Sequence, residues 1–238
     1  MLNDMKTPWV SLSVFFPVFD EVEALPGVIE RALWVLASME LEDYEVIVVN
    51  DGSTDGTATV ADEYARRHAH VRVVHHERNL GYGAALVSGF GAARYQWVAY
   101  TDADGQFDLG NIERFIEPSG RVDVVLGYRR RRSDHVGRRL NAWLWGRVVR
   151  VILDLDVRDL DCGFKLFRTE RVRGLQPLEA RGAVISAELL MKLRRAGCSW
   201  EEVAVEHYPR QTGAPSGARL GVIARAVKEL IDLRRTQG

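Results

Sequence analysis

Five short runs in the first half of the chain are apolar and rich in valine, isoleucine and aromatic residues: positions 11–16, 44–49, 71–75, 96–101 and 123–127. Runs of this length and composition predict strands. Between them the apolar positions change period. Leu25, Ile29, Leu33 and Leu36 recur at helical spacing, and residues 58–67 and 83–94 are helix-compatible, although Gly89 and Gly91 weaken the second segment. A shorter helix is expected over residues 108–117, stopped by Pro118. Repeated strand–helix–strand order calls for parallel strands joined by crossovers, so the predicted class is α/β, a single open, mostly parallel sheet flanked by helices. The unbroken apolar character of residues 46–49 suits a strand covered on both faces.

The second half is less regular. Residues 138–155 and 185–196 read as helices, and 163–168 and 200–207 as extended chain. A glycine-containing loop, 211–217, leads into an amphipathic helix with Leu220, Ile223, Val227, Leu230 and Ile231 on one stripe. With no internal repeat, low-complexity linker or composition shift, all 238 residues are expected to form one domain. A net charge of −1 argues against a general nucleic-acid binder, and two cysteines make neither a disulfide framework nor a zinc site. The apolar run ending at Pro17 is too short to span a bilayer and lacks the layout of a signal peptide. A cytoplasmic protein is therefore expected, with any membrane contact peripheral.

In an open α/β sheet ligands bind outside the carboxyl ends of the strands, and the unusual polar groups fall there. Strand one runs into Pro17-Val18-Phe19-Asp20-Glu21, and strand two ends in Asn50-Asp51-Gly52-Ser53-Thr54-Asp55-Gly56. Strand three is followed by Arg78-Asn79-Leu80-Gly81-Tyr82-Gly83, and strand four by Asp102-Ala103-Asp104-Gly105-Gln106. Four separate segments thus converge on one rim. Asp102 and Asp104 are two apart in extended chain, so both carboxylates can point the same way. Beside Gln106 they offer hard oxygen donors suited to Mg²⁺ or Mn²⁺; the plainer alternative is a polar turn. Asp51 is placed to accept hydrogen bonds from a base or ribose, and Ser53 or Thr54 could equally cap the next helix. Gly81 and Gly83 resemble part of a dinucleotide fingerprint, but the third glycine and the following acid are missing, which excludes a nicotinamide site.

At these residues the chain resembles the family 2 inverting glycosyltransferases of GT-A fold. Within them it is similar to the dolichol-phosphate mannose synthase or polyprenyl-phosphate sugar transferase branch. The matching strings are VFFPVFDE, EVIVVNDGSTDGT, NLGYGA, DADGQ, GYR, DLDCGFKLFR and HYPRQTGAPSG, spread over about residues 10–220. The resemblance implies a nucleotide-sugar-binding half over residues 10–127 and an acceptor half over 128–238. It implies nucleotide contacts at Pro17, Phe19, Glu21, Asp51, Gly81, Asp102 and Ala103, and metal contact at Asp104 with Asp102 and Gln106 assisting. Arg129, Arg210 and Ser216 would face phosphates, with Asp104, Arg129 and Arg210 carrying the reaction. Asp20-Glu21 stands where the family has Asn-Glu, and Ser216-Gly217 where it has Ser-Lys.

Residues 129–150 contain eight arginines and one acid, Asp134, interleaved with Trp143, Trp145 and aliphatics. Arginine with tryptophan on an amphipathic helix is the pattern of a segment lying in a membrane interface; a core-facing helix with a solvated basic face is the alternative. Arg138 or Arg139, beside Arg129, is the choice for an acceptor phosphate, because a planar guanidinium matches phosphate oxygens. The expected reaction is hexose transfer from a GDP-mannose- or UDP-glucose-type donor to a polyprenyl or dolichyl phosphate. Such a phosphate is already an anionic nucleophile at neutral pH and requires no general base. A soluble hydroxyl acceptor would require one, with Asp161, Glu188 and His207 as candidates. A non-catalytic nucleotide-sugar-binding protein is the alternative of another class.

Overall fold

The structure, a computed structural model, describes residues 10–130, 155–175 and 184–209, together with positions 147, 150, 152, 153, 177, 178 and 180. Among the described residues seven strands form one sheet: Ser11–Val18 (β1), Asp43–Asn50 (β2), Val71–His75 (β3), Trp97–Thr101 (β4), Val124–Arg129 (β5), Phe164–Arg168 (β6) and Trp200–Val205 (β7). Their order is β3-β2-β1-β4-β6-β5-β7. The chain steps outward from β1 to β3 and then returns to the other side of β1 with β4. The switch point therefore lies between the carboxyl ends of β1 and β4, where an open sheet leaves a crevice.

All pairings are parallel except those of β6, which runs antiparallel to both β4 and β5. The sheet expected is mostly parallel, and β6 is its one reversed strand among those described. The exception arises because the chain between β5 and β6 begins and ends on the same edge: Thr101 pairs with Phe164 and Leu126 with Lys165. This reversal brings the start of β6 against the end of β4, beside the crevice.

Alternate residues of each central strand feed opposite faces. Leu12, Val14 and Phe16 join Val46, Val48 and Ala99 beneath helices Leu25–Ser38 (α1), Thr57–Arg67 (α2) and Ile112–Ser119 (α4). Phe15, Ile47, Val49, Val98 and Tyr100 pack on the other face beneath Tyr82–Ala92 (α3), Thr169–Arg173 (α5) and Val184–Arg195 (α6). The period-2 alternation thus supplies two cores from one sheet. A short 3₁₀ turn, Leu109–Asn111, precedes α4, and α4 runs through Pro118 to Ser119 rather than stopping before it. The proline sits in the last turn, where the helix is already ending. Strand β7 ends at Val205, two residues short of the expected extended run. Of the helix expected over residues 138–155, Arg147, Arg150, Ile152 and Leu153 are helical and Leu155 is not; the remaining positions, and the stripe from Leu220 to Ile231, lie outside the described residues.

Gly89 in α3 faces Phe15, and a Cβ there would lie 2.3 Å from its ring. Phe15 is also packed edge-on against Phe90 at 5.2 Å, so it has no room to retreat. Helix propensity favours Gly89→Ala by up to about 1 kcal/mol, but overpacking a filled core costs about 1–3 kcal/mol. We expect this variant to be destabilised in urea denaturation; equal or greater stability would contradict the packing described.

Candidate active site

The crevice is built from loops that are tied to one another before any ligand is considered. Asp20 has a positive φ of 52°, a conformation that Asp and Asn tolerate better than other side chains. It is held there by Thr54 N–H donating to its Oδ1 at 2.7 Å and by its own N–H donating to Ser53 Oγ at 3.0 Å. Glu21 N–H donates to Thr57 Oγ1, and Val22 N–H to Asp55 Oδ2. The segment DGSTDGT therefore braces the loop that carries Pro17, Phe19 and Glu21. Asp55, not Ser53 or Thr54, accepts from the first turn of α2, through Thr57 N–H at 3.0 Å.

Asp51 braces the next loop. Its Oδ1 accepts from Leu80 N–H at 2.8 Å and from His76 Nδ1 at 2.6 Å, and its Oδ2 from Gly81 N–H at 2.8 Å. His76 is fixed in turn by Ser88 Oγ at 2.8 Å from its Nε2. Gly52, at φ 72°, lets the backbone of Arg78 and Asn79 approach so closely that a Cβ would lie 2.3 Å from Arg78 C. Only glycine fits both requirements.

At the end of β4 stand Asp102 and Asp104. Asp104 is buried and accepts from Gln106 N–H at 3.0 Å. Tyr82 Oη donates to Asp102 Oδ1 at 3.0 Å. The Asp102 carboxylate lies over Gly163, where a Cβ would come within 2.2 Å of Oδ2. Burial and the neighbouring Asp104 charge push the Asp102 carboxyl up to about 6, against the Tyr82 hydrogen bond and the charges of Lys165 and Arg129. Lys165 is buried beneath this end of the sheet, donating to Tyr100 Oη at 3.1 Å and to the Cys162 carbonyl. Burial works against its ammonium, but Tyr100, Cys162 and Asp161 outweigh it and raise its pKa. Burial pushes the Cys162 thiol up to about 12, so it is no nucleophile at neutral pH.

Pro17, Phe19, Glu21, Asp51, Gly81, Asp102, Ala103 and Asp104 all line one cleft of about 630 Å³. Phe19 is exposed there, leaving a ring face open to stacking. A second cavity of about 350 Å³, between α1 and residues 104–109, shares Asp102 and Asp104 with the first. The paired acids thus form the wall between two spaces. Among the described residues no set of three or more His, Cys, Asp or Glu side chains gathers as a self-sufficient metal cage. Two adjacent carboxylates at a cleft instead fit a cation that takes its remaining ligands from phosphate oxygens and water.

Other expected residues are placed differently. Arg129 lines neither cavity: its Nε and Nη2 bond Asp159 at 2.7 and 2.8 Å, so its fork is directed at a carboxylate of its own chain. The Gln106 side-chain amide donates to Tyr208 O at 3.2 Å while Tyr208 N–H donates to Gln106 O at 2.9 Å, clamping the acidic loop to the segment after β7. Glu188 is buried, pairs with Lys192 at 2.7 Å and accepts from Ala180 N–H, which leaves it no access to a substrate. His207 packs edge-on against Phe107. Arg138, Arg139, Arg210 and Ser216 lie outside the described residues. Tyr82, His76, Gly163 and Lys165 were missed by sequence reasoning. A lysine inside the apolar run FKLF was the one available signal, since an unpaired charge is not buried without a partner.

Residues 13–175 match the sequence profile described as "Glycosyl transferase family 2". A dolichyl-phosphate beta-glucosyltransferase of Trichomonas vaginalis is 31% identical over 216 residues, covering 84% of this chain and 66% of its own. An undecaprenyl-phosphate mannosyltransferase of Micrococcus luteus is 28% identical, covering 89% and 88%. The chain spans only 34% to 66% of the length of the first curated relatives it matches. Among solved structures, glucosyl-3-phosphoglycerate synthase of Mycobacterium tuberculosis, in complex with Mn²⁺, UDP and glucosyl-3-phosphoglycerate, superposes with a TM-score of 0.70 at 20% identity, covering 96% of this chain and 80% of that one. The fold is therefore GT-A-like.

Asp102 generates a pH prediction. Its folded pKa of about 6 lies above the ordinary 3.8, so the folded state holds the proton more tightly than the unfolded chain. The penalty on folding is absent below about pH 4, grows as pH rises through about 6, and is complete above it. It amounts to roughly 2 kcal/mol once discounted for the partial exposure of the group. Metal-free Asp102→Asn is expected to be more stable than the parent by about that amount at pH 8 and equal to it near pH 4. Urea melts at the two pH values test this, and identical stability at both would contradict it. Gly163→Ala is expected to retain its far-UV circular dichroism yet bind Mn²⁺ at least about tenfold more weakly, because the new methyl displaces Asp102. Unchanged Mn²⁺ affinity in a titration would refute that placement.

Proposed function

Because the chain belongs to glycosyl transferase family 2, we propose that it transfers a hexose from a nucleotide-sugar of the GDP-mannose or UDP-glucose type to the phosphate of a polyprenyl or dolichyl lipid. The observation that carries the reading is the convergence of Phe19, Asp51, Asp102 and Asp104 on one cleft at the switch point of the sheet. Relatives named for dolichyl and undecaprenyl phosphate support the acceptor class. Asp102 and Asp104 would hold Mg²⁺ or Mn²⁺, which when bound supplies positive charge to the diphosphate. Gln106, whose amide nitrogen donates to Tyr208 O, is proposed to assist through its amide oxygen.

Pro17 and Phe19 would wall the nucleoside, and Asp51, with the Gly81 backbone, would fix the base or ribose. The charges of Lys165 and Arg129 favour the ionised form of Asp102 and offset part of its repulsion by Asp104. The acceptor phosphate is a nucleophile as it stands, so no side chain has to remove a proton. Attack in line on the anomeric carbon inverts that centre as the carbon–oxygen bond to the diphosphate breaks. Arg138, Arg139, Arg210 and Ser216 are proposed for the acceptor and diphosphate oxygens, and the arginine–tryptophan stretch for a peripheral seat on the cytoplasmic face of the membrane. No helix among the described residues is long and apolar enough to cross a bilayer. A soluble acceptor is the rival reading, favoured by the likeness to the phosphoglycerate-linked synthase.

The test is a panel of labelled UDP- and GDP-sugars with Mg²⁺ or Mn²⁺, assayed with and without a polyprenyl phosphate. Product is expected only with the lipid phosphate and the metal. Asp104→Asn should lower turnover by about 10²-fold or more. Transfer to a hydroxyl acceptor without lipid, together with a second carboxylate behaving as a base in the pH profile, would overturn the lipid-phosphate assignment.

A further inference from the structure

The second cavity, of about 350 Å³ between α1 and residues 104–109, has no part in the donor-site reading. Two features that cost the free chain stability meet in it. Thr101 follows Trp97 and Ala99 on the α1 face of β4, is 1% exposed and borders the cavity. Its Oγ1 has no hydrogen-bond partner among the described residues. A buried hydroxyl in that state is unfavourable, and native structures pair nearly all such groups. Gly27, the third residue of α1, also borders the cavity, and a Cβ there would meet nothing within 4 Å. Glycine weakens a helix, and no packing among the described residues requires it at this position. Its bare backbone instead lets a ligand approach the first turn of α1. N–H groups there lack intrahelical partners, and Ala24 supplies no side-chain cap.

The charges select the class of ligand. Asp102, Asp104 and Glu23 border the cavity, while Arg31 is committed to Asp108 through Nε at 2.9 Å and Nη2 at 3.1 Å. A free anion is therefore repelled. A bare metal ion has no cage, since among the described residues no three His, Cys, Asp or Glu side chains gather to hold one. A neutral molecule with several hydroxyls suits both kinds of partner, because each hydroxyl can accept from an N–H and donate to a carboxylate. Phe107 and the exposed Tyr208 border the same space and offer ring faces to the C–H surface of such a molecule. The volume is at the small end of the range for small-molecule sites. We infer that this cavity binds a neutral sugar of monosaccharide size, on the opposite side of the acidic pair from the nucleotide cleft.

Neither a nucleotide nor a metal is needed to test this. The full chain in metal-free buffer is titrated with methyl α-glucoside, methyl α-mannoside and glucose 6-phosphate, followed by saturation-transfer NMR. At least one glycoside is expected to bind with a Kd of about 10 mM or tighter, and the phosphate ester at least about threefold more weakly. Gly27→Leu places a side chain in the cavity and is expected to keep its far-UV circular dichroism but lose the glycoside signal. Thr101→Val is expected to weaken glycoside binding about threefold to tenfold. Without sugar it should melt no lower than the parent, because the hydroxyl it removes is unpaired; a lower melting temperature would show Oγ1 bonded within the chain and overturn the inference. So would the absence of glycoside binding, equal binding by Gly27→Leu, or glucose 6-phosphate binding as tightly as the glycosides. If Gly27→Leu does not fold, the Thr101→Val titration decides. A parallel titration with UDP and Mn²⁺ reads the donor cleft: UDP uptake without glycoside binding removes this inference alone, and the reverse removes the donor-site reading alone.

Discussion

Two like charges held at the end of one buried strand are the constraint around which this molecule is organised. Asp102 and Asp104 share a wall between two cavities, and burial, with the charge of Asp104, lifts the Asp102 carboxyl to about 6. Nothing in a metal-free chain profits from this arrangement. The surroundings reduce its cost without removing it: Tyr82 donates to one oxygen, Lys165 contributes a buried positive charge, and the guanidinium of Arg129, although paired with Asp159, adds a smaller effect of the same sign. A strained acidic pair of this kind is relieved by a cation and, through it, by a polyanionic ligand.

The rest of the rim is preorganised by hydrogen bonds within the chain. Asp20, Asp51 and Asp55 are acids in a site expected to bind anions, and each accepts a backbone N–H from a neighbouring loop. These bonds leave the loops shaped in advance, with Asp51 still bordering the cleft beside the acids after β4. The Gln106–Tyr208 clamp carries the same logic to the chain after β7, so the acidic loop and the start of the HYPR segment are positioned together.

The strands and long helices were legible because their signals are local: β3 was read to the residue, and the other parallel strands to within two at either end. The reversal of β6 was not legible, since direction depends on where a distant chain segment returns rather than on alternation within FKLFR. Pro118 misled for a related reason, because a breaker in a final turn breaks nothing. In the site, the residues at strand ends could be placed on one rim from order alone. The partners that use up Asp51 and Arg129 could not, because His76 and Asp159 meet them only through the fold, 25 and 30 positions away in sequence. Gly163 is the clearest case: its need for no side chain is set entirely by the carboxylate that packs against it.

The central claim is that the acids after β4 hold a divalent cation against a nucleotide's diphosphate. Anomalous diffraction at the manganese edge, from crystals grown with Mn²⁺ and a nucleoside diphosphate, addresses it most directly. The account predicts a peak within bonding distance of an Asp104 carboxylate oxygen and of diphosphate oxygens in the cleft beside Phe19. Diphosphate density in that cleft with no manganese at Asp102 or Asp104, or manganese bound only elsewhere on the chain, would contradict it.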